Sequence, residues 1–366
     1  MKFSVAKGKI LEELQLLQGV VEKRTTMPIL ANILIEAKGN KVELIGTDLE
    51  VGFKTIIEAE VEEEGALTIS GKRIFDIVKL LPEEQEIAFS ENKDLIMEIK
   101  CGKSQFKVLC LAREDYPPIP EAKFEKGIVL PLTAFREMID RVFYAIAQEQ
   151  RYYLNGALFI IKDKAIELVS TDGHRLAYTS YDVPSLNTNS EIRVIIAKKT
   201  LGELRKMDDS DLEFDLDENN LFFRSGHRTL ISRLIETKFP NFEAVIPKGN
   251  PIVLHLDKDS FINALRRVAL LSTERSKGVK LNIEADRLTL FSSNPEIGEA
   301  RDEIEVAHEG ADLEVGFNSQ YLLDFLATVE SARVRFELKD ENSAALLTPE
   351  NDEKMRYLYV LMPMKI

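Results

Sequence analysis

The chain has few of the residues that mark metalloproteins, disulfide-bonded proteins and membrane proteins. Its 366 residues include two cysteines and four histidines. Cys101 and Cys110 lie in one strand-rich stretch, where a structural disulfide is not expected, and no paired-cysteine metal motif occurs. The sequence also has no signal peptide and no apolar run near 18 residues, which predicts a cytoplasmic protein with no membrane partner.

Positive charge is also in short supply. Lys and Arg number 48 against 62 Asp and Glu, so the formal net charge is −14 at pH 7. That average argues against a nucleic-acid binder of the ordinary basic kind. However, the predicted helices carry a small net positive charge, whereas the strands and loops carry the acidity. Either one face of the molecule is locally basic, or Lys and Arg serve only as good helix formers on solvated faces.

Recognisable catalytic motifs are missing as well. No glycine-rich phosphate loop occurs, so any use of ATP would belong to a partner. The best candidate for an active site is Thr171, Asp172 and His174, a hydroxyl, a carboxylate and an imidazole within four residues. A catalytic triad needs groups that converge from a fold, and no nucleophile elbow accompanies these three. We therefore expect a protein that is not an enzyme and needs no cofactor.

A second weak match is to a calcium-binding loop. Asp215–Asn219 has the spaced acidic residues of such a loop, but Asn220 stands where the loop needs glycine and Gly226 where it needs glutamate. A hairpin turn is the better prediction for this segment, and no metal site is expected.

What the sequence does contain is an internal repeat with a period of about 120 residues. A strand followed by a polar turn occurs three times, as Val42–Asp48, Ile166–Asp172 and Leu288–Asn294. A second marker keeps the same register, because the proline-rich segment Asp115–Pro120 recurs as Phe239–Pro247. The chain is therefore predicted to be one architectural unit copied three times.

Each copy repeats the same order of elements. Apolar residues at helical spacing predict a longer and a shorter helix in every unit, over Lys9–Val21 and Arg73–Leu81, Leu132–Ala147 and Lys199–Met207, and Lys258–Ser272 and Ser319–Val329. Alternating β-branched stretches between them predict antiparallel hairpins. The predicted fold class is α+β, with three tandem similar domains, each carrying two helices packed on antiparallel sheets. Proline-rich segments place the domains at residues 1–121, 127–247 and 251–366.

Several segments resemble a known family over the whole length of the chain. They are Met1–Val5, Arg24, Pro28–Leu30, Gly46–Glu50, Arg151–Gly156, Thr171–Leu176, Phe239–Pro240 and Met362–Ile366. On these motifs the chain is identified as a member of the bacterial DNA polymerase III beta subunit family, the DNA sliding clamps. The resemblance implies a head-to-tail homodimer that closes into a ring of six similar modules, with twelve helices lining a central hole.

The resemblance also implies a function. Members of this family are processivity factors that encircle duplex DNA without sequence preference, and an ATP-dependent clamp loader places them there. The expected partners are a second copy of the chain, double-stranded DNA, the DNA polymerase III alpha subunit, the clamp loader delta subunit, and other polymerases and repair proteins with a clamp-binding peptide. The expected location is the bacterial cytoplasm, at the nucleoid during replication.

A hydrophobic groove for such peptides is implied on the second and third domains. Its residues are Leu154, Thr171, Gly173, His174, Arg175, Leu176, Pro240, Val245, Asn318, Tyr321, Val360, Met362, Pro363 and Met364. Leucine, valine and methionine offer an adaptable apolar surface for a Leu or Phe anchor. Tyr357–Met362 also reads as the last core strand, and both interpretations hold if alternate side chains face opposite ways. Ala244 stands where relatives often carry arginine, so peptide preference is expected to differ in detail.

A second implied set of residues faces DNA. It comprises Arg24, Lys72, Arg73, Gln148, Arg151, Tyr152, Tyr153, Lys198, Lys199 and Arg205. A thinly basic lumen guides a duplex that topology already retains, while an acidic exterior avoids other nucleic acid. The alternative for Tyr152 and Tyr153 is a packed pair that caps the first helix of the second domain.

The implied subunit interface pairs apolar with apolar and basic with acidic side chains. Its residues are Lys103, Gln105, Phe106 and Lys107 in the first domain and Leu270, Leu271, Glu299, Asp302 and Glu303 in the third. Gly298 and Arg301 interrupt a run that is more acidic in some relatives, which predicts a weaker closure. The alternative function left open by the sequence is a repeat-built peptide-binding scaffold that does not encircle DNA.

Overall fold

The computed structural model describes residues 1–22, 27–83, 85–92, 94–125, 127–148, 154–186, 190–207, 211–274 and 276–365. Within these ranges lie six α-helices, which confirms the predicted alternation of longer and shorter helices. They are α1 (Lys7–Val20), α2 (Gly71–Leu80), α3 (Leu132–Phe143), α4 (Lys198–Leu204), α5 (Lys258–Ala269) and α6 (Ser319–Leu326). All six end earlier than predicted.

Antiparallel strands make up most of the remainder. In the first predicted domain they are β1 (Lys2–Ala6), β2 (Asn32–Lys38), β3 (Lys41–Thr47), β4 (Val51–Glu58), β5 (Glu60–Glu63), β6 (Gly65–Ser70), β7 (Glu86–Glu91), β8 (Ile96–Cys101) and β9 (Ser104–Ala112). In the second they are β10 (Ile128–Pro131), β11 (Gly156–Lys162), β12 (Ala165–Thr171), β13 (Arg175–Asp182), β14 (Ile192–Ala197), β15 (Asp211–Leu216), β16 (Asn220–Ser225) and β17 (Arg228–Arg233). In the third they are β18 (Ile252–Asp257), β19 (Gly278–Glu284), β20 (Arg287–Asn294), β21 (Gly298–Glu305), β22 (Ala307–Glu309), β23 (Leu313–Asn318), β24 (Arg333–Leu338), β25 (Ala345–Pro349) and β26 (Arg356–Leu361).

The longer helices are amphipathic and bury one stripe each. In α1 the stripe is Ile10, Leu14, Leu17 and Val20, all fully buried, whereas Leu11 is only half-buried. The spacing of three and four residues keeps these side chains on one face of the helix. Burial of each such side chain contributes roughly 2 kcal/mol, so the stripe fixes the helix on its sheet.

Capping side chains set the starts of several helices. Asp257 accepts a hydrogen bond from the Ser260 amide at 2.9 Å and begins α5. Asn318 accepts from the Gln320 amide at 2.9 Å and from the Tyr321 amide at 3.3 Å, and so begins α6. These short polar side chains satisfy amides that have no partner inside the helix.

The first compact unit comprises residues 1–133 and 199–234. It contains one 13-stranded sheet in the order β10-β15-β16-β17-β4-β3-β2-β6-β9-β8-β7-β1-β5. In the middle of this order β4 pairs antiparallel with β17, and Phe53 lies opposite Leu230. A strand of the first predicted domain therefore joins a strand of the second.

A buried ion pair reinforces this junction. Arg228, at the start of β17, contacts the Glu13 carboxylate of α1 at 2.7 Å, and the two side chains are only 4% and 3% exposed. The His227 ring lies 3.1 Å from the same carboxylate. The exposed Glu12 carboxylate provides a further partner for Arg228. Such a pair holds its geometry because neither charge can be left alone in the interior.

The second compact unit comprises residues 134–198 and 235–366. It contains a 9-stranded sheet in the order β14-β11-β12-β13-β26-β25-β24-β18-β22 and a 4-stranded sheet in the order β21-β20-β19-β23. Here β13 pairs antiparallel with β26, so that Leu176 lies opposite Val360 and Ala177 opposite Tyr359. This pairing repeats the β4–β17 junction with the next pair of predicted domains.

The predicted hairpins are confirmed in all three repeats by the pairings β2–β3, β11–β12 and β19–β20. The suspected calcium segment forms the turn between β15 and β16, where the Asp217 carboxylate accepts from the amides of Asn219 and Asn220. Both cysteines are free and buried. The division at 121–127 and 247–251 remains a prediction, because the two compact units group the strands by their continuous sheets.

Candidate functional site

Ten of the predicted groove residues line one cavity of about 270 Å³ in the second unit. They are Leu154, Thr171, Gly173, His174, Arg175, Leu176, Pro240, Val245, Val360 and Met362. Two further lining residues, Asn241 and Phe242, escaped the sequence analysis, although they lie between the predicted Pro240 and Val245 and chain contiguity was the available signal. Residues from four segments that are far apart in the sequence thus meet at one place.

A polar turn forms one side of the cavity. The Asp172 carboxylate accepts from the amides of His174 at 2.9 Å and Arg175 at 3.1 Å. The Thr171 hydroxyl accepts from the Gly173 amide at 3.1 Å and donates to the Arg175 carbonyl at 2.6 Å. Gly173 has φ 92°, a conformation that favours glycine. The hydroxyl and carboxylate of the candidate catalytic run are therefore committed to building the turn.

The same turn recurs in the first unit, as the sequence repeat predicts. The Asp48 carboxylate accepts from the amides of Glu50 at 3.0 Å and Val51 at 2.7 Å. The Thr47 hydroxyl accepts from the Leu49 amide at 3.0 Å and donates to the Val51 carbonyl at 2.9 Å. The shared hydrogen bonding explains why the Thr-Asp pair recurs in the first two repeats; the third repeat has Ser293-Asn294 at these positions.

Arg175 is held by contacts on several sides. Its guanidinium lies 2.9 Å from the Asp172 carboxylate and 2.6 Å from that of Asp324, and it donates to the Tyr144 carbonyl at 2.6 Å. The Tyr321 ring stacks 4.1 Å from the guanidinium carbon. Burial by itself would lower the pKa of Arg175, but Tyr359, Asp324 and Asp172 raise it above its usual value. The charge is permanent and its position is fixed.

The last strand shows the expected alternation of faces. Val360 and, beyond the strand, Met362 line the cavity. Tyr359 points the other way, where its hydroxyl donates to the Tyr321 carbonyl at 2.9 Å, and Tyr357 donates to the Arg141 carbonyl at 2.9 Å. This segment is therefore both a core strand and a wall of the cavity.

A cluster of buried hydrophobic residues forms the floor of the cavity. Leu176, Phe242 and Val360 belong to it together with Tyr178, whose ring stacks on that of Phe242 at 6.0 Å between centroids. Exposure is concentrated at the rim, where Val245 is 52% and Met362 45% exposed. A rigid floor with movable apolar edges suits ligands of varied shape.

Four predicted groove residues do not line this cavity. Asn318 caps α6, and Tyr321 stacks under Arg175. Pro363 and Met364 are half-buried in the tail, where the Met364 amide donates to the Gly316 carbonyl at 2.9 Å. Their assignment to a groove remains a prediction.

The comparisons with known proteins decide the family. Models of the DNA polymerase III beta subunit match the chain with its N-terminal domain over residues 1–120, its central domain over 129–241 and its C-terminal domain over 243–365. The beta sliding clamps of Pseudomonas aeruginosa and Escherichia coli are 35% and 33% identical, and each alignment covers 100% of both proteins. The chain belongs to the beta sliding clamp family.

Solved structures of the family agree with this assignment. A sliding clamp from Bartonella birtlesii, bound to griselimycin, matches with a TM-score of 0.95 and 35% identity over 100% of both chains. The DNA polymerase III subunit beta of P. aeruginosa matches with a TM-score of 0.94 and 34% identity, again over 100% of both chains. The predicted fold class, three clamp domains with six helices on antiparallel sheets, is confirmed.

The described residues that are expected to face DNA fall into two groups, one exposed and one half-buried. Lys72 and Arg73 on α2, Arg205 after α4 and the uncharged Gln148 are exposed. Lys198 and Lys199 are half-buried and engaged with the protein itself. Arg24, Arg151, Tyr152 and Tyr153 lie outside the described residues.

The two engaged lysines make different contacts. The Lys199 ammonium lies 2.5 Å from the Asp48 carboxylate and donates to the Val20 carbonyl at 2.9 Å. The Lys198 ammonium donates to the Ile146 carbonyl at 3.1 Å. Burial, with a further contribution from Arg175, lowers the pKa of Lys198. These contacts leave Lys198 and Lys199 less mobile than an ordinary surface lysine.

The residues expected at the clamp interface form one exposed patch in each unit. In the first unit Lys103, Gln105, Phe106 and Lys107 are exposed on the hairpin of β8 and β9. In the second unit Leu270, Glu299 and Glu303 are exposed, and Leu271 and Asp302 are half-buried. Asp302 already contacts the Arg267 guanidinium at 2.5 Å.

No helix in the described part of the clamp is long and apolar enough to cross a membrane.

Proposed function

We propose that this chain is a DNA sliding clamp, a processivity factor that tethers DNA polymerases to duplex DNA and catalyses no reaction itself. Two copies close head to tail around the duplex, and the 270 Å³ cavity holds short linear peptides of the partners. The observation that carries the proposal is the meeting of ten predicted groove residues around that cavity in a member of the clamp family.

The cavity has the chemistry of a peptide site. Leu176, Phe242 and Val360 supply a buried apolar floor, and Met362 and Val245 supply apolar edges that repack. His174, on the exposed part of the turn, offers a polar group to a peptide backbone. Burying a leucine and a phenylalanine anchor contributes roughly 3–6 kcal/mol, part of which ordering of the peptide offsets. Modest affinity of this kind lets several partners exchange at one site.

The strand junctions within the chain support a ring of two copies. In each described junction, the strand after the polar turn pairs with the last strand of the following repeat, as in β4–β17 and β13–β26. The third such strand, β21, is at the edge of its sheet. The corresponding last strand of the first repeat is β9. Pairing of β21 with β9 of a second copy completes the pattern. This contact is heterologous, and two such contacts, one at each end of the chain, would close two copies into a ring.

The pattern of the internal junctions also supports one register for this contact. Gly52 lies opposite Ile231, and the equivalent residues by strand pairing are Glu299 in β21 and Lys107 in β9. Glu299 of one copy therefore lies opposite Lys107 of the other. Opposite charges facing each other across strands are favourable. Gly298 and Arg301 soften the acidic character of β21, which is consistent with a weaker closure.

Apolar surface beside β9 adds to the interface. A cavity of about 630 Å³ is lined by Ile77 and Leu80 of α2 and by Phe106, Val108 and Leu109 of β9. Leu80 is 85% and Leu109 79% exposed, an unusual exposure for leucine. Leu270 and Leu271 of a second copy would cover this surface, which explains the exposure on both sides.

Contact with DNA is expected to be light. Lys72, Arg73 and Arg205 are exposed cations, and Lys198 and Lys199 contribute charge from half-buried positions. Each phosphate contact is weak and independent of sequence, so a few of them guide a duplex without stopping it. Arg24, Arg151, Tyr152 and Tyr153 belong to the same proposed surface.

The partners follow from this mode of action. They are the DNA polymerase III alpha subunit, the clamp loader delta subunit, which works with ATP, and other polymerases and repair proteins with a clamp-binding peptide. All compete for the groove, and the place of action is the cytoplasm, at the nucleoid during replication.

The decisive experiment is topological. The protein is loaded onto nicked circular DNA with its host's clamp loader and ATP, the complex is purified, and the circle is cut once. A ring held by topology slides off the ends, so nearly all protein is expected to leave the linear DNA while it stays on uncut circles. Retention after cutting would mean grip by direct contacts and would favour the peptide-binding scaffold.

A further inference from the structure

A second cavity, of about 470 Å³, adjoins the groove in the second unit. Val245 lines both cavities, and the short 3₁₀ helix Phe242–Ala244 separates them. Phe242 faces the groove, whereas Glu243 and Ala244 line the second cavity. A peptide that leaves the groove over Val245 would therefore enter the second cavity directly.

The two cavities share their support. Ile246 and Ala344, which line the second cavity, pack against the hydrophobic cluster that floors the groove. The Asn250 amide, almost fully buried, donates to the carbonyls of Glu337 at 3.1 Å and Ala344 at 3.2 Å. These bonds fix the wall of the second cavity that Asn250 and Ala344 form, so the cavity is preformed.

Its distinguishing chemistry is a pair of lysines from two separate segments. Lys248 follows the 3₁₀ helix and Lys339 follows β24, and both are exposed. Neither ammonium group has a salt-bridge partner among the described residues. A basic pair beside an apolar groove is electrostatically suited to an acidic ligand.

Two nearby carboxylates, those of Glu243 and Asp340, have partners within the protein. Glu243, the acidic lining residue, lies 3.6 Å from the Arg193 guanidinium. Asp340 accepts from the amides of Asn342 at 2.9 Å and Ser343 at 2.7 Å and from the Ser343 hydroxyl at 2.8 Å. The hydrogen bond from Asn342 is the largest of the effects that lower the pKa of Asp340, and Lys339 makes a smaller contribution. Two lysines against one partnered glutamate leave the cavity lining with a net positive charge.

We infer that this second cavity is an accessory subsite for acidic residues that flank the apolar anchors of a groove-bound peptide. The inference rests on the proposed function and adds to it a means of discrimination, because a peptide with acidic flanks would bind more tightly than one that carries the anchors alone. Two exposed ion pairs are expected to strengthen binding roughly three- to tenfold at low salt and to lose this effect as salt rises.

The test uses three synthetic peptides in fluorescence anisotropy titrations with the full-length protein. One carries only leucine and phenylalanine anchors, and the others add Glu-Asp-Glu at its amino or its carboxyl end. The proteins are the native chain, the double variant Lys248→Ala with Lys339→Ala, and a control with Lys38→Ala and Lys164→Ala. The control removes the same charge from two exposed hairpin lysines outside the cavity lining.

One of the flanked peptides is expected to bind the native chain roughly three- to tenfold more tightly than the short one. The advantage should vanish in the Lys248/Lys339 variant and persist in the control, while the short peptide binds all three proteins equally. Equal affinity of flanked and short peptides, or an advantage that survives loss of both lysines, would overturn the subsite. Failure of the short peptide to bind the native chain would instead reject the groove itself, and the subsite with it.

Discussion

The Arg175 guanidinium lies 2.6 Å from the Asp324 carboxylate, and this contact joins the polar turn of the second repeat to helix α6 of the third. The two residues are 149 positions apart in the chain. Because Arg175 lines the groove and Asp324 does not, Asp324 acts on the groove only through Arg175. It is a positioning residue.

The variant Asp324→Asn is therefore expected to weaken peptide binding. It keeps the size of the side chain but replaces a charged acceptor by a neutral one, so the contact with Arg175 weakens by about 1 kcal/mol. Since Arg175 keeps its bonds to Asp172 and to the Tyr144 carbonyl, an increase of up to roughly fivefold in Kd is expected. The measurement is a titration of the short anchor peptide. Asp286→Asn, at an exposed carboxylate outside the groove lining, serves as the charge-matched control. Equal affinity for all three proteins would show that Arg175 needs no support from Asp324.

Stability should depend on pH through Glu13. Burial raises the pKa of this carboxyl, but hydrogen bonds with Arg228 and His227 help to outweigh burial and bring it below the ordinary value of 4.5. A carboxyl with a lowered folded-state pKa contributes stability above its unfolded-state pKa, and this contribution is lost as pH falls through the folded-state pKa. The contribution is therefore complete at pH 7 and declines below about pH 4.5.

Accordingly, Glu13→Gln should lower the free energy of unfolding by about 3 kcal/mol at pH 7, since it leaves Arg228 short of a buried partner. The difference from the native chain should shrink as the pH is lowered, because the native carboxyl is then neutral as well. Urea denaturation at several pH values measures both effects. Glu12→Gln, at an exposed partner of the same arginine, should change stability by less than about 1 kcal/mol. A pH-independent loss would contradict the assignment.

Removal of residues 362–366 should abolish peptide binding and leave the dimer intact. The deletion takes away Met362 from the rim of the groove, together with the hydrogen bonds from the Met362 amide to the His174 carbonyl and from the Met364 amide to the Gly316 carbonyl. Peptide titration and light scattering measure the two properties separately. Met362→Leu keeps an apolar edge and should retain most of the affinity. Unchanged binding by the truncated chain would refute the groove assignment.

The combination Phe106→Ala with Leu271→Ala should convert the dimer to monomers that keep their fold and their groove. It removes an apolar side chain from each of the two proposed contact patches, and large-to-small changes in a packed contact typically lose a few kcal/mol each. Sedimentation or light scattering reports the mass, and peptide titration reports the groove. Leu216→Ala is a suitable control, because Leu216 is 37% exposed, as is Phe106. A persistent dimer would place the interface elsewhere.

The proposed register gives a sharper test of the same interface. Lys107→Glu alone, or Glu299→Lys alone, should weaken dimerisation severalfold because each sets like charges opposite one another. The double variant restores an opposite pair with the order exchanged and should recover much of the native dimer affinity. Lys103→Glu combined with Glu299→Lys should show no such recovery. Recovery by that second combination instead would shift the register.

The secondary-structure elements and the apolar parts of the groove could be predicted because both depend on patterns within short stretches of sequence. Helical spacing indicated α1 to α6. Contiguous motifs such as Thr171–Leu176 contain most of the residues of one groove wall, so recognising the motif was enough to predict that wall. The helix ends were less accurate: α3 ends at Phe143 instead of Ala147, since the last residues form a tighter turn in which the Ala145 amide bonds to the Val142 carbonyl.

Contacts between distant segments could not be predicted. Neither the support of Arg175 by Asp324 nor the burial of Glu13 against Arg228 leaves a local pattern, because each partner reads as an ordinary helix or strand charge. The second cavity was missed for the same reason, since Lys248 and Lys339 are 91 residues apart and meet only in the fold. The resemblance indicated Lys198 and Lys199 as DNA-facing, but it carried no information about their internal partners.

The pairing of β4 with β17 has a consequence for folding. A fragment that stops at residue 121 would retain β4 but lose its neighbour, so a long, largely apolar strand would present its open amides and carbonyls to solvent. Unprotected edges of this kind recruit other chains and lead to aggregation. During synthesis on the ribosome, the first repeat must therefore wait for about a hundred further residues before its sheet is sealed, and the chain cannot be divided into freely folding thirds.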